Sequence, residues 1–393
     1  MKSEIGLGQV TTILSAMSNL PLDVIAEILS RLPVKFLSRY LCVSKQWYAL
    51  IHSQAFINLH LRRSIESNTD RTLILHQQHA TVPFDYFSVH FRNDDQLDTE
   101  PMKIQHPPLP VCVNMSTQQI HGLVFVHSNT GELAIWNPLI RRYRKLPTLE
   151  KVFPRITIAL GFGYDTLNDD YKVLRVVQFL NREFDVKLYS LKSKSWKNIK
   201  EQWPKKGWKR SSKTVSVNGA LHWLVAENKQ GPVMILAFDL ANEKFRDFAT
   251  PRQPPTYGAE RFLEAGLEGF LEACLEVLNG KLCFIVNLDK KDNEVWLMEE
   301  YGEGSSWTRV YKIEYDGVFK KVKFFNPLMF CKNSKKILME KCHGGRTFLI
   351  WFDTEIKKHE KVKIRKLPHV FQTAICTGSL LLLDGDNVIS RYE

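Results

Sequence analysis

The sequence has few of the features that mark a secreted or a metal-binding protein. Its seven cysteines are scattered over 393 residues, with no CxxC pair and no histidine at the spacing of a zinc site. The odd count and the wide spacing predict reduced thiols rather than a disulfide framework. They also give no reason to expect a bound metal ion or any other cofactor.

Long apolar runs are absent as well. A membrane-spanning helix needs roughly 20 apolar residues, whereas apolar runs here, such as LCFIV and LLLL, have the length of one strand. Residues 1–17 are too polar for a signal peptide, and we expect them to form a flexible N-terminus. The sequence therefore predicts a protein of the cytoplasm, the nucleus or both, without a membrane partner.

Motifs of the common enzyme classes are also missing, since GxSxG, the P-loop, GxGxxG and HExxH do not occur. His343 and the two glycines after it are similar to an esterase oxyanion loop. No nucleophile elbow accompanies them, so a plain turn is the favoured interpretation. His222 lies inside an apolar run and is interpreted as a hydrogen-bonded histidine of a core or a channel. We expect no catalytic residues, and hence no enzyme.

Acidic residues are outnumbered, because 42 Asp and Glu face 54 Lys and Arg and leave a net charge of +12. A basic surface attracts anionic partners but does not define a fold. The most basic stretch, residues 192–210, contains Trp196, Trp203 and Trp208, and such a mixture could bind nucleic acid through phosphate contacts and stacking. The favoured interpretation is that the lysines protect sheet edges while the tryptophans pack inside, which argues against a nucleic acid partner.

What the sequence does contain divides it into two regions. Residues 18–63 carry apolar side chains at helical spacing and contain no glycine. Pro21 begins a helix whose apolar face includes Ile25 and Leu29, and Pro33 ends it. A unit of about 45 residues is too small to bury all its apolar side chains alone. Its surplus must pack either on the rest of the chain or on another protein.

Residues 64–393 have the pattern of an all-β domain, with short apolar runs between Gly, Asn, Asp and Pro turns. Two large side chains recur seven residues apart around a turn, and a Met–Trp pair fits with a two-residue insertion. The pairs are Trp136 and Tyr143, Tyr189 and Trp196, Phe238 and Phe245, Met298 and Trp307, and Phe352 and His359. Their mean spacing of about 54 residues fits a four-stranded propeller blade of the kelch type. The length of the region favours six blades, with seven as the alternative.

Turn signals precede the apolar runs of this region. They are the dipeptides His121-Gly122, Asn218-Gly219, Asn279-Gly280 and Thr377-Gly378. Because Asn and Gly accept the positive φ of tight hairpin turns, each dipeptide predicts a hairpin followed by a strand.

One segment departs from the strand pattern. Between Ala259 and Gly280, both Glu and Leu recur every four residues, which is helical spacing. We therefore expect residues 259–277 to form an inserted helical loop between two blades, although its last turn must become a strand before Asn279.

The helical region resembles the F-box, the Skp-binding module of SCF ubiquitin ligases. The matching positions follow the order and register of the plant F-box: Leu20-Pro21-x-Asp23, Glu27-Ile28-Leu29, Arg31-Leu32-Pro33-Val34-Lys35, Leu37, Arg39, Cys42-Val43, Lys45 and Trp47. Ser38 and Leu41 depart from the pattern, because the family more often has an apolar and a basic residue at these positions.

The β region resembles the F-box-associated domain of the large plant family that includes the S-locus F-box proteins. Its matching motifs are Gly122-Leu123, Trp136-Asn137-Pro138 with Arg141 to Pro147, Gly161-Phe162-Gly163-Tyr164-Asp165, Asp170-Tyr171-Lys172-Val173, Asn218-Gly219-x-Leu221-His222-Trp223 and Phe238-Asp239. The resemblance implies an α+β multidomain protein, with a small helical F-box over residues 18–63 and an all-β propeller-like domain over residues 64–393.

The resemblance also implies a function. The F-box would bind a Skp-type protein, and through it a cullin, while the β domain holds a target protein for ubiquitination and degradation. The chain would be a non-catalytic substrate-recognition adaptor, and its exposed basic loops favour an acidic target whose binding residues stay unknown. The alternative is a basic propeller that binds nucleic acid or another anionic partner without ligase assembly.

The same resemblance assigns residues to these tasks. The side chains expected to contact the Skp-type partner are Leu20, Pro21, Leu22, Ile25, Ile28, Leu29, Leu32, Pro33, Val34, Leu37 and Val43. The expected core residues of the F-box are Cys42, Trp47 and Leu50.

Overall fold

The computed structural model of the chain shows an N-terminal helical domain followed by a β-propeller. It describes residues 20–77, 85–92, 96–109, 113–128, 130–149, 155–179, 183–201, 203–204, 209–210, 213–226, 233–252, 273–288, 292–314, 322–331, 335–343, 345–382 and 387–388. The predicted flexible N-terminus, residues 1–17, lies outside the described residues.

The helical domain contains four consecutive helices: α1 (Leu22–Leu29), α2 (Val34–Tyr40), α3 (Lys45–His52) and α4 (Gln54–Ser67). Pro21 and Pro33 stand immediately before α1 and α2, where the fixed φ of proline suits a helix start. The Ser44 hydroxyl caps α3 by accepting a hydrogen bond from the Trp47 backbone N–H at 3.1 Å. Helix α4 ends at Asn68, whose φ of 50° lies in the left-handed region.

Six antiparallel sheets form the propeller, which confirms the preferred prediction of six blades over seven. Blade 1 contains β1 (Arg71–Gln77), β2 (Tyr86–His90) and β3 (Met102–Ile104); blade 2 contains β4 (Val113–Ile120), β5 (Leu123–Ser128), β6 (Leu133–Asn137) and β7 (Arg142–Lys145); blade 3 contains β8 (Arg155–Asp165), β9 (Asp170–Phe179), β10 (Phe184–Ser190) and β11 (Ser195–Asn198). Blade 4 contains β12 (Lys209–Arg210), β13 (Val215–Val217), β14 (Ala220–Ala226), β15 (Val233–Asp239) and β16 (Lys244–Ala249); blade 5 contains β17 (Ala273–Leu278), β18 (Lys281–Leu288), β19 (Asp292–Met298) and β20 (Trp307–Glu314); blade 6 contains β21 (Val322–Phe330), β22 (Lys336–His343), β23 (Arg346–Asp353) and β24 (His359–Lys361).

Two strands from the C-terminal part return to the first blades. Strand β25 (Phe371–Thr377) pairs with β1 along its whole length and completes blade 1 as a four-stranded sheet. Strand β26 (Asn387–Val388) pairs with β7 at the outer edge of blade 2. The ring of blades is therefore closed by hydrogen bonds between the two ends of the β region.

The large side chains that recur around turns are direct cross-strand partners in blades 2 to 6. Trp136 faces Tyr143, Tyr189 faces Trp196, Phe238 faces Phe245, Met298 faces Trp307 and Phe352 faces His359. The insertion in blade 5 contains a 3-10 turn at Gly304–Ser306. Each pair joins the third strand of its blade to the fourth, and such pairs contribute roughly 0.2–1 kcal/mol each.

Three of the four predicted turn dipeptides form hairpins in which both residues have positive φ, at His121-Gly122, Asn218-Gly219 and Asn279-Gly280. The expectation for Thr377-Gly378 is wrong, because residues 378–382, which follow directly, do not form a strand. Instead, the Gly378 N–H donates to the backbone oxygen of Asp70 at 2.8 Å. A side chain on Gly378 would overlap the Asp70 carboxylate, so close approach to the helical domain explains this glycine.

In the described part of residues 259–277, the chain forms β17 and pairs with β18, so the expected change to a strand before Asn279 is present and begins at Ala273. Residues 259–272 lie outside the described part of the chain. In β17, Ala273 and Leu275 pack into one core cluster while Cys274 packs into another. Packing on both faces requires a period of two, and it overrides the four-residue spacing of the sequence.

The two ends of the propeller differ in their connections, since successive antiparallel strands are joined at alternate ends. At one end, two residues separate β4 from β5 and two separate β17 from β18. At the other end, nine residues separate β7 from β8, and 23 separate β16 from β17. Helix α4 leads into β1 at the first end, so the helical domain lies where most connections are short.

Candidate partner-binding surfaces

One side of the helical domain presents large apolar side chains to solvent. On α1, Leu22, Val24 and Ile28 are 40–47% exposed, and Val24 and Ile28 are one helical turn apart. Phe36 on α2 and Tyr48 on α3 are also exposed. Exposed apolar side chains that cluster on one domain mark a surface for another protein.

The residues predicted to contact a partner fall into three groups. The exposed ones are Leu20, Pro21, Leu22, Ile28 and Val43. Leu32 and Pro33 are half-buried. The remaining four, Ile25, Leu29, Val34 and Leu37, are buried in the core of the helical domain.

We correct the assignment of these four buried residues from partner contact to the core. Ile25 and Leu29 lie on the face of α1 that turns towards the other helices, and Val34 and Leu37 begin and continue the inward face of α2. In a thin domain, the apolar stripe of one helix supplies side chains both to the core and to the exposed surface. The spacing of apolar residues therefore does not separate core residues from partner-contact residues.

The predicted core residues divide as well. Trp47 is 8% exposed and packs edge-on against Tyr40 with ring centroids 5.7 Å apart. Leu50 is half-buried beside the same core. Cys42 is a correction, because its side chain is exposed in the turn between α2 and α3, where its Sγ lies 2.9 Å from the Arg39 backbone oxygen.

Three exposed apolar residues of α1, α2 and α3 are absent from the predicted partner set. Val24 precedes Ile28 by one turn, and this spacing is the signal that points to it. Phe36 and Tyr48 carry no comparable signal. The Tyr48 ring stacks on His52 with centroids 3.9 Å apart, which holds it at the surface.

The opposite side of the helical domain packs on the propeller. Its core is shared with Leu139 and Ile140 from the β6–β7 turn and with Leu380 and Leu381, which follow β25. Leu380 is only 1% exposed. The apolar surplus predicted from the sequence is therefore buried on one side by the chain itself and left uncovered on the other.

Buried Asn137, from the Trp-Asn-Pro motif, fixes this contact. Its side-chain amide donates to the backbone oxygens of Ser379 at 2.9 Å and Leu381 at 3.0 Å. Its side-chain oxygen accepts a hydrogen bond from the Leu139 N–H at 3.2 Å. One side chain thus holds both propeller segments that touch the helices.

Asp70, between α4 and β1, makes a second polar link between the helices and the propeller. Its carboxylate accepts a hydrogen bond from the Val34 N–H, the first residue of α2, at 2.8 Å. Burial raises the pKa of Asp70, while the Val34 N–H and nearby His60 act against that rise. Burial also lowers the pKa of His60, whose Nε2 lies 2.9 Å from the Leu32 backbone oxygen. These polar groups are tied to backbone at the start of α2.

An exposed ion pair connects the first and last helices. Glu27 on α1 accepts hydrogen bonds from Arg31 at 2.6 Å and from Arg63 on α4. These two guanidinium groups lower the pKa of the Glu27 carboxyl. The pair joins α1 to α4 beside the exposed apolar side chains.

A buried ion pair in the propeller explains another motif of the resemblance. Lys172 donates to the Asp165 carboxylate at 2.6 Å and to the backbone oxygen of Leu240, in blade 4, at 2.8 Å. Burial alone would raise the pKa of Asp165, but hydrogen bonds from Lys172 and Asn168 keep it below its usual value. Side chains on Gly161 would collide with blade 4. The motif therefore joins blade 3 to blade 4.

His222 has the structural place expected of it. The ring is buried, with Nδ1 3.2 Å from the Val215 backbone oxygen and Nε2 2.8 Å from the Tyr301 hydroxyl. Burial lowers the pKa of His222 to about 4, so the ring is neutral near pH 7. Both ring nitrogens have partners within the protein.

The tryptophans of the basic stretch pack inside the propeller where the structure describes them. Trp203 is buried against Trp223, and the half-buried Trp196 donates to the Pro147 backbone oxygen at 2.9 Å. Trp208 lies outside the described residues. Lys197 is ion-paired with Glu243. The buried Trp203 therefore has no open face for a base, and the indole N–H of Trp196 already has a partner within the protein.

The described residues contain no group of three or more His, Cys, Asp or Glu side chains arranged to hold a metal ion. Across the same residues, none of the helices combines the length and apolar character needed to cross a membrane.

Comparison with known proteins agrees with the two domains. The F-box domain family matches residues 17–59, and the F-box associated beta propeller domain family matches residues 85–377. F-box protein CPR1 of Arabidopsis thaliana is 29% identical, over 93% of this chain and 89% of that protein. F-box protein At4g22390 of the same plant is 28% identical, over 86% of this chain and 84% of that protein.

Among solved structures, TolB from Acinetobacter baumannii superposes with a TM-score of 0.48 at 8% identity, over 82% of this chain and 72% of that chain.

An F-box joined to a propeller is the domain composition of a substrate-recognition adaptor. Because the propeller family matches most of the chain and the F-box family matches its helices, the chain belongs to the F-box proteins with an F-box associated beta propeller domain.

Proposed function

We propose that this protein is the substrate-recognition adaptor of an SCF-type ubiquitin ligase in the cytoplasm or the nucleus. Its helical domain binds a Skp-type protein that carries the cullin, and its propeller binds a target protein. The target is ubiquitinated by the assembled ligase and degraded. The adaptor itself supplies no catalytic group, because it raises the local concentration of target near the transfer machinery.

One observation carries this proposal. The helical domain buries one side on Leu139 and Leu380 of the propeller, yet Leu22, Val24 and Ile28 on α1 stay exposed. An F-box covers such a surface with the helices of its Skp-type partner. The proposed contact residues are the exposed side chains Leu20, Pro21, Leu22, Val24, Ile28, Phe36, Val43 and Tyr48, with the half-buried Leu32 and Pro33 at their edge.

Co-expression with a plant Skp-type protein tests the proposal. We expect the wild-type chain and the partner to co-elute in size-exclusion chromatography. Changing Leu22→Ser and Ile28→Ser together should weaken the complex on the order of thirtyfold, because burial of each side chain contributes about 1 kcal/mol. Both residues are exposed in the free protein, so the melting temperature should not change.

Ile65→Ser is the matched control. Ile65 is a 47% exposed aliphatic residue on α4, beyond the residues that match the F-box family. This variant should bind the Skp-type protein as the wild type does. Undiminished binding by the Leu22 and Ile28 double variant would contradict the proposed surface.

A further inference from the structure

The connection between blades 6 and 1 has an unusual charge pattern. Residues 361–369, which we call the basic loop, join the end of β24 to the start of β25 and are described throughout. Lys361, Lys363, Arg365 and Lys366 are exposed, as is Glu360 just before them, while Val362, Ile364, Leu367 and Pro368 are half-buried. Polar and apolar side chains alternate here as they do along a strand with one face on a core.

The apolar residues anchor the basic loop. Val362, Ile364 and Leu367 pack against a core cluster formed by both neighbouring blades, which includes Leu73 of β1 and Leu349 of β23. Since these contacts come from two blades, the loop covers the junction between them. Its cationic side chains are thereby held on the outer side of the propeller.

Backbone hydrogen bonds hold the same loop in place. The Val362 N–H donates to Leu349 at 2.9 Å, and the Arg365 N–H donates to the Thr99 backbone oxygen of blade 1 at 2.7 Å. The backbone oxygen of His369 accepts a bond from the Thr347 N–H at 2.8 Å. A loop fixed at its start, middle and end presents its charges without a large ordering cost on binding.

Within the described residues, the cations of the basic loop are weakly neutralised. Arg365 makes one exposed ion pair with Glu100 at 3.9 Å, and no carboxylate of the described residues pairs with Lys363 or Lys366 within 4 Å. Lys361 is held over the ring of Phe348, 4.6 Å from its centroid. Elsewhere, five lysines in or beside strands have acidic partners: Lys103 pairs with Asp85, Lys145 with Glu132, Lys197 with Glu243, Lys281 with Glu299, and Lys335 with Glu355.

We propose that the basic loop is a docking site for an acidic segment of the target protein. This inference rests on the proposed function and adds the chemical class of the segment that the propeller recognises. An extended chain with acidic side chains at alternate positions fits a row of cations spaced by two residues. A nucleic acid fits less well, because the aromatic rings beside the loop, Phe348 and Trp351, are half-buried in the protein and offer no open stacking surface.

Fluorescence anisotropy on the full-length protein tests this site. The probes are a labelled 12-residue peptide of alternating Glu and Ala, the same peptide with Lys for Glu, and a 12-nucleotide single-stranded RNA. We expect the Glu peptide to bind at low salt and to be released as salt rises. The triple variant Lys363→Glu, Arg365→Glu and Lys366→Glu should weaken it by about tenfold or more.

The matched control moves the same charge change to the other end of the propeller, with Lys192→Glu, Lys194→Glu and Lys244→Glu. These lysines are exposed near turns at the end that carries the helices, and their reversal should change the affinity by less than about threefold, as for general screening. A triple change to Gln at 363, 365 and 366 gives a second, milder variant in case the reversal impairs folding.

Three results would overturn the proposal: no binding of the Glu peptide by the wild type at low salt, equal losses in the test and control variants, or tighter binding of the RNA than of the peptide. Co-elution with the Skp-type protein is measured on the same triple variant and should be unchanged. Loss of peptide binding with intact Skp binding in the triple variant therefore tests the basic loop alone. Failure of the wild type to bind the Skp-type protein would contradict the proposed function instead.

Discussion

The contacts between neighbouring blades differ in kind from the single contact between the propeller and the helical domain. Blade architecture repeats, because blades 2 to 6 each place a large cross-strand pair between their third and fourth strands. The contact with the helices occurs once and depends on residues far apart in sequence, such as Asn137, Asp70 and Gly378. A repeated contact leaves a periodic trace in the sequence, whereas a contact made once leaves none.

The largest expected effect lies in a core shared by two neighbouring blades. Trp223 is fully buried between blades 3 and 4 and donates from its indole N–H to the Thr214 hydroxyl at 2.8 Å. Trp223→Ala should lower the free energy of unfolding by about 3–5 kcal/mol, as measured by urea denaturation. Tyr48→Ala, which removes an exposed ring from α3, should cost less than about 0.5 kcal/mol. Equal losses would show that Trp223 is not held in a shared core.

A polar blade contact is expected to come next. Lys172→Met leaves the Asp165 carboxylate buried without its cation, which should cost about 3 kcal/mol near neutral pH. The control Lys281→Met breaks an exposed pair with Glu299 and should cost less than about 1 kcal/mol.

The same pair predicts a pH dependence. Because the pKa of Asp165 is lower in the folded protein, the stabilisation is present above the ordinary Asp pKa of about 3.9 and is lost as pH falls through the folded value. Urea denaturation of wild type and Lys172→Met should therefore show the full difference in unfolding free energy near pH 7.5, and this difference should shrink as pH falls and be smallest below about pH 4. A gap that widens in acid would contradict the assignment.

The smallest effect is expected at the contact that occurs once. Gly378→Ala places a methyl group against the Asp70 carboxylate and should cost about 1–3 kcal/mol. Amide exchange should show faster exchange at Val34, whose N–H depends on Asp70, and little change in the blade strands. Gly304→Ala, where the added carbon has 3.8 Å of room, is the control, and faster exchange throughout the propeller would show that the effect is not local.

This comparison also explains how much could be predicted from the sequence. The five pairs between Trp136 and His359 predicted the blade size, because each pair marks the same turn in its blade and the spacing between pairs is one blade. The blade number followed from this spacing and the length of the β region. Asn218-Gly219 predicted a hairpin correctly, whereas Thr377-Gly378 did not, since glycine serves close approach as readily as positive φ. On the helices, a single period marked Ile25 and Ile28 alike, and only the three-dimensional packing separated the buried residue from the exposed one.

Closure of the ring by β25 has a consequence for the timing of synthesis. Strand β1 begins at Arg71 and its partner β25 ends at Thr377, so blade 1 waits for about 300 residues to be made, on the order of 15–60 s at 5–20 residues per second. Leu380 and Leu381, on which the helices pack, emerge later still. A newly made chain therefore has its helices long before it has the propeller surface that fixes their orientation. A chain whose synthesis stops early has an F-box without a fixed orientation relative to the blades.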